Sequence, residues 1–192
     1  NVALAVDPKN DQDWRDAMKA ECEALGIPFY SFHPSRPSTS VAIDPLRNYN
    51  RDTEIASRIA GIVSDPSKSD PFRDFSWYAI YRTTIFCRYV GERPTLVRLK
   101  NYLITQRAIL FEKVLNRYYQ LHLGAEWWDQ IGDEVDELGE GDKLTGMVRY
   151  YEEQSRQQVP EIACDEVCAA FRHPHEHDQK MTTCVLPLMS NP

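Results

Sequence analysis

Between Asp52 and Gly124 apolar side chains return every three or four residues with scarcely a break, and that period commits the larger part of the chain to α-helix. Asn50 or Asp52 can cap a first helix carrying Ile55, Ile59, Ile62 and Val63. Asp70-Pro71 prepares a second, in which Phe75, Tyr78, Arg82, Phe86 and Tyr89 keep helical spacing up to Gly91. Pro94 stands at a first-turn position, and Leu96, Leu99, Leu103, Leu110, Val114, Tyr118 and Leu121 continue to Gly124 as a short and a longer helix broken near Thr105. Asp129 to Asp142 holds three glycines among its acids and reads as a loop or a frayed helix. Helical spacing resumes from Lys143 to Gln157 through Leu144, Met147, Val148 and Tyr151, and Pro160 opens the last helical region.

The first fifty residues have a different grammar. Val2-Ala3-Leu4-Ala5-Val6 is a continuous apolar run closed by Asp7-Pro8, the pattern of a parallel strand buried on both faces. Asp11-Gln12-Asp13 opens a helix carrying Trp14, Ala17, Met18, Cys22 and Leu25, and Gly26 ends it. Ile27-Pro28-Phe29-Tyr30-Ser31-Phe32 reads as a second strand, completing a β-α-β crossover. Two parallel strands make no stable sheet, so such a unit implies further strands from upstream or from elsewhere. A Pro- and Ser-rich connector, residues 34–40, leads to Val41-Ala42-Ile43-Asp44-Pro45-Leu46, where prolines exclude helix.

Composition narrows the classes further. With 42% hydrophobic and 27% charged side chains in 192 residues, the chain is neither a disordered tail nor a disulfide-dense miniprotein. Its five cysteines are odd in number and scattered, which predicts reduced thiols. No stretch approaches the roughly 20 apolar residues that span a bilayer. A net charge of −7 argues against a uniformly basic coat for nucleic acid, but the charge is uneven. Residues 72–123 carry about +6, residues 124–166 about −10. Either packed helices use this asymmetry to attract one another, or one sign faces a partner.

The order of several short strings is more specific than any one of them. Val6-Asp7-Pro8-Lys9-Asn10-Asp11, a strand ending Phe32-His33-Pro34, Ile43-Asp44-Pro45-Leu46, Glu54-Ile55-Ala56-Ser57-Arg58-Ile59, Pro71-Phe72 with Trp77, and Gly91-Glu92-Arg93-Pro94-Thr95-Leu96 follow one another. In this order the chain resembles the type IV secretion coupling proteins of conjugation, closest to the TraD type of SXT-like integrating conjugative elements, over most of residues 2 to 123. The resemblance implies a β-α-β piece of a RecA-like P-loop ATPase domain over residues 1–46 and an all-helical inserted domain over 47–192. It also implies a parent that is a hexameric DNA-translocating ATPase using ATP and Mg²⁺, anchored in the bacterial inner membrane. Its cytoplasmic face would meet relaxase or relaxosome proteins and single-stranded DNA.

The chemistry of that motor is not written in this chain. A P-loop needs G-x-x-x-x-G-K-[ST], so that backbone amides and a lysine hold the phosphates, and no Gly-Lys pair occurs. Gly139-Glu140-Gly141-Asp142-Lys143-Leu144-Thr145 has the wrong spacing and sits among acids. No ATPase activity is therefore expected of this chain, and no cofactor within it. Asp7 and Lys9 end the first expected strand on the edge where ligands of parallel sheets bind, and so stand near nucleotide in the parent; the alternative is a turn shaped by Asp-Pro.

Three further groups of side chains are candidates. Cys164, Cys168, His177 and Cys184 are zinc-ligand types, but their spacing matches no common zinc motif, and Cys168 beside Ala169, Ala170 and Phe171 also reads as core. Arg82, Arg88, Arg93, Arg98, Lys100 and Arg107 interleave with tyrosines, as cations along a single strand's backbone and rings under its bases would. The same tyrosines fit a helical core with arginines reaching outward. Finally, Trp127 and Trp128 adjoin Asp133, Glu134, Asp136 and Glu137, an aromatic and acidic combination suited to a basic protein partner, unless the tryptophans turn inward. The expectation is a substrate-recognition region of a conjugative coupling protein, the alternative a free-standing cytoplasmic helical protein with a structural or regulatory role.

Overall fold

The computed structural model describes residues 3–33, 35–61, 71–173, 176 and 179–186; Val2, Ile62, Val63, Asp70 and His177 lie outside them. The chain divides into two units, Asn1–Asp44 and Pro45–Pro192.

In the first unit one helix forms, α1, Gln12–Ala24. Asp11 caps it by accepting from the amides of Asp13 at 2.9 Å and Trp14 at 3.2 Å, and Gly26 at φ +66° turns the chain out of it. No residue of α1 is buried. The β-α-β crossover is not seen: no strand forms among the described residues, and the segments on either side of α1 are irregular. The apolar side chains that were to fill the sheet stay in solvent, Leu4 at 93% and Val6 at 81% exposure, with Tyr30 at 74%. The physical reason is pairing, since an apolar run becomes a strand only where neighbours take up its N–H and C=O groups.

The second unit is all helical among its described residues. It runs through α2 (Asp52–Ala60), α3 (Pro71–Tyr89), α4 (Leu96–Ile104), α5 (Arg107–Leu123), α6 (Trp127–Gly139), α7 (Lys143–Tyr150) and α8 (Ile162–Phe171). A π-helical turn, Tyr151–Ser155, extends α7, and another occupies Met181–Val185. Thr95 caps α4 through the Arg98 amide at 3.2 Å, α4 ends at Thr105, and Gly124 at φ +94° stops α5. Helices α3 and α5 form the centre: α3 packs on α2, α4, α5 and α8, and α5 on α4, α6, α7 and α8. Their buried faces carry Ile80, Phe86, Leu110, Val114, Leu115 and Tyr119.

Tyr118, Tyr119 and Tyr151 enter this core with their hydroxyls hydrogen-bonded, whereas the buried Tyr89 hydroxyl has no partner among the described residues. Tyr119 donates to the Met147 carbonyl at 2.7 Å, and Tyr118 to the Val159 carbonyl at 2.7 Å. Tyr151 accepts from the Glu161 amide at 2.9 Å and so ties the π-helical turn to the start of α8. The rings pack edge to face, Tyr118 on Tyr151 at 5.0 Å between centroids.

The acidic segment expected as a loop or frayed helix is a full helix, α6, lying tightly on α7. Its glycines explain the difference. A Cβ on Gly146 of α7 would sit 2.0 Å from the Val135 carbonyl oxygen, and one on Gly139 would sit 3.0 Å from the Gly146 amide. Here glycine is the surface that lets two backbones touch, and the lost propensity is offset by burial of Trp127, Ile131 and Val135.

Candidate functional site

The acidic face of α6 is built by spacing. Trp127, Ile131 and Val135 recur every fourth residue and point inward, which leaves Asp129, Asp133, Glu134, Asp136 and Glu137 exposed on the other side. Among the described residues none of these five carboxylates has an ion pair or a side-chain hydrogen bond. Asp129, Asp133 and Glu137 succeed one another at i, i+4, and Asp133 faces Asp136 at i, i+3, so the face repels itself by roughly 0.2–0.5 kcal/mol per neighbouring pair. Asp136 and Glu137 also crowd the helix's C-terminal end, where the backbone dipole is already negative, and no base stands in that last turn. The two tryptophans part company. Trp127 is 4% exposed and packs on Tyr119 at 4.7 Å between centroids, so its ring belongs to the core and does not reach a partner. Trp128 is 36% exposed, with the Lys143 ammonium 5.1 Å above its ring.

The basic segment is arranged differently, because its cations are mostly engaged within the fold. Arg82 is 9% exposed, pairs with Glu166 of α8 at 3.8 Å and lies 5.3 Å over the Tyr78 ring. Tyr78 donates to the same carboxylate at 2.7 Å. Burial pulls the Arg82 pKa down while Glu166 and Tyr78 work to restore it. Arg88 donates to Asp52 of α2 at 2.8 Å. Arg98 meets Glu92 at 3.2 Å, and Glu92 accepts from Lys113 at 2.6 Å and from the Tyr102 hydroxyl at 2.7 Å. Burial works to raise the Glu92 pKa, but those two hydrogen bonds and the charges of Lys113 and Arg98 outweigh it and hold the carboxyl below the ordinary glutamate range. Arg93 accepts a hydrogen bond from Arg98 on its carbonyl, and Arg107 lies 6.0 Å over the Phe111 ring. Lys100 is half-buried, with no ion pair among the described residues. Tyr102 is 5% exposed, its ring turned to the core and away from any stacked base. The charge asymmetry of the sequence thus serves mainly pairs within the fold, and Arg82–Glu166 and Lys143–Glu112 join the basic to the acidic half.

The remaining candidates are placed as follows. Asp7 accepts from the backbone amides of Lys9 at 3.0 Å and Asp11 at 2.5 Å, so its carboxylate shapes the turn into α1. Cys164, Cys168 and Cys184 are buried free thiols, and no group of three metal-ligating side chains occurs among the described residues, which exclude His177. Burial pushes the Cys168 thiol up to about 12, with the Glu152 carboxylate adding to it, and burial raises Cys164 in the same direction. Cys164 and Cys168 are thus core thiols kept from ionising.

One arrangement is formed only by the folded chain. Arg107 of α5, Arg149 of α7 and Arg172 at the end of α8 line a single half-open cleft of about 490 Å³ whose floor is apolar. Its arginines come from three separated elements, and no spacing along the chain announces them.

Among the described residues no helix is long and apolar enough to cross a membrane. No protein-family model, curated protein or solved structure matches the chain.

Proposed function

We propose that the helical unit is a protein-docking module and that the outer face of α6 receives a basic partner. The observation that carries this reading is a rigid helix bearing five exposed, unpaired carboxylates that repel one another, held in place by packing on α7. A cationic surface relieves that repulsion on contact, and charge complementarity of this kind sets orientation and association rate. In the setting the sequence resemblance implies, the partner is a relaxase or relaxosome protein delivered to a conjugative coupling protein, and the chain's part is recognition, with ATP hydrolysis left to the parent's motor. Single-stranded DNA is the weaker partner, since Arg82, Arg88 and Arg98 are engaged by Glu166, Asp52 and Glu92. A free-standing structural or regulatory helical protein remains the alternative role for the same face.

The test is a titration of a conjugative relaxase, and of a labelled single-stranded oligonucleotide, against the wild type and an Asp133→Lys, Glu137→Lys variant. Relaxase affinity is expected to fall at least about tenfold in the variant, with the oligonucleotide bound by neither protein. Unchanged relaxase binding removes the reading. The neutral variant Asp133→Asn, Glu137→Gln is expected to melt at the same or a higher temperature than wild type, by about 0.5 kcal/mol of relieved repulsion. A lower melting point would mean that these acids serve the fold.

A further inference from the structure

The arginine cleft lies outside the docking reading and stands on its own geometry. It is assembled where the start of α5, the outer side of α7, the π-helical turn and the end of α8 meet. Although the whole chain carries −7, the cleft's lining holds three arginines against the single acid Glu152, and Glu152 is already paired with Arg172. Arg149 uses one terminal nitrogen, donating to the Leu138 carbonyl at 2.7 Å and to the well-exposed Glu140 at 3.3 Å. A guanidinium has five N–H donors, so Arg149 keeps others for a guest. Beneath these cations the floor is Phe111 and Val148, both 3% exposed, with Phe171 beside them. A volume near 490 Å³ falls within the roughly 300–1,000 Å³ typical of small-ligand sites.

We propose that this cleft binds a small organic anion, a carboxylate or phosphate headgroup held by Arg107, Arg149 and Arg172 on an aromatic or branched aliphatic body seated on Phe111, Val148 and Phe171. The pairing of oxyanion with forked donors and of ring with apolar floor requires both parts of the ligand at once. Neither an inorganic ion nor a neutral ring satisfies the site.

The experiment is an amide chemical-shift titration of the full chain with four probes: phenyl phosphate, phenylpropionate, inorganic phosphate and benzyl alcohol. Phenyl phosphate or phenylpropionate is expected to shift amides around Arg107, Arg149 and Arg172 and to bind at least about tenfold more tightly than inorganic phosphate or benzyl alcohol; whichever of the two is tighter identifies the headgroup. Arg149→Gln is expected to weaken that binding by about tenfold. Because Arg149 also supports the α6–α7 contact, Ala108→Trp serves as a second variant: Ala108 lines the cleft and is exposed, so the bulky ring occupies the space while all three arginines are kept. Loss of binding there supports the site. Equal binding of benzyl alcohol and the aromatic anions, undiminished binding in Ala108→Trp, or no shifts at millimolar probe would overturn it.

Discussion

Helices α1 and α6 are both 13 residues long and both amphipathic, yet they stand at opposite ends of what sustains a helix. Locally α1 is the better made. Asp11 caps it with two backbone bonds, Asp13 complements its dipole, and no glycine interrupts it. Helix α6 has no side-chain cap, contains Gly132 and Gly139, and gathers acids at its negative end. Nevertheless α6 buries Trp127, Ile131 and Val135, and α1 buries nothing. An isolated helix of this length is marginal in water, so α1 depends on its local signals and α6 on its neighbours.

The contrast can be broken hardest at the close contact. Gly146→Val is expected to force α6 away from α7 and to cost the helical unit about 3 kcal/mol or more in denaturant unfolding, because the added carbon would overlap the Val135 carbonyl. A variant as stable as wild type would mean that α6 does not rest on this contact. A smaller effect is expected from Glu92, which clamps α4 and α5 to the turn at Gly91. Its carboxyl is held below the ordinary value of 4.5 in the folded chain, so it contributes stability that is present above that pH and is lost as pH falls through the lowered folded value. Glu92→Gln is expected to cost about 1 kcal/mol at neutral pH and to flatten the acid limb of the stability profile below pH 4.5; an unchanged limb would remove Glu92 as its source. The smallest global effect is expected from Asp11→Ala. Removing the cap costs α1 about 1 kcal/mol, visible as faster amide exchange in residues 13–24, while the unfolding midpoint of the helical unit stays where it is. A shifted midpoint would show that α1 is coupled to that core.

The same contrast explains what could be read from the sequence. Helices α2 to α5 were legible because their apolar residues keep one period, and the stops at Thr105 and Gly124 were legible as punctuation. Helix α6 was not, because glycine and acid are local signs of a loop, and only the facing glycine of α7 reveals them as a contact surface. The expected strands fail for the converse reason. An apolar run such as 3–6 states what a segment needs but not whether a neighbour supplies it, and here Leu4 and Val6 remain in solvent. Of the candidate site, the acids of α6 were visible as charge, whereas the inward turn of Trp127 and the capture of Arg82 and Arg88 by Glu166 and Asp52 depend on packing between distant segments.

The free cysteines carry a last consequence. Cys22 is half-buried in α1, while Cys164 and Cys168 are sealed in α8 and kept from ionising. Since thiolate is the species that alkylates, the chain contains two clocks of very different rate, one set by the breathing of a helix without a core and one by the opening of the core itself. A pulse of thiol reagent followed by peptide mass mapping would time both in the unmodified protein.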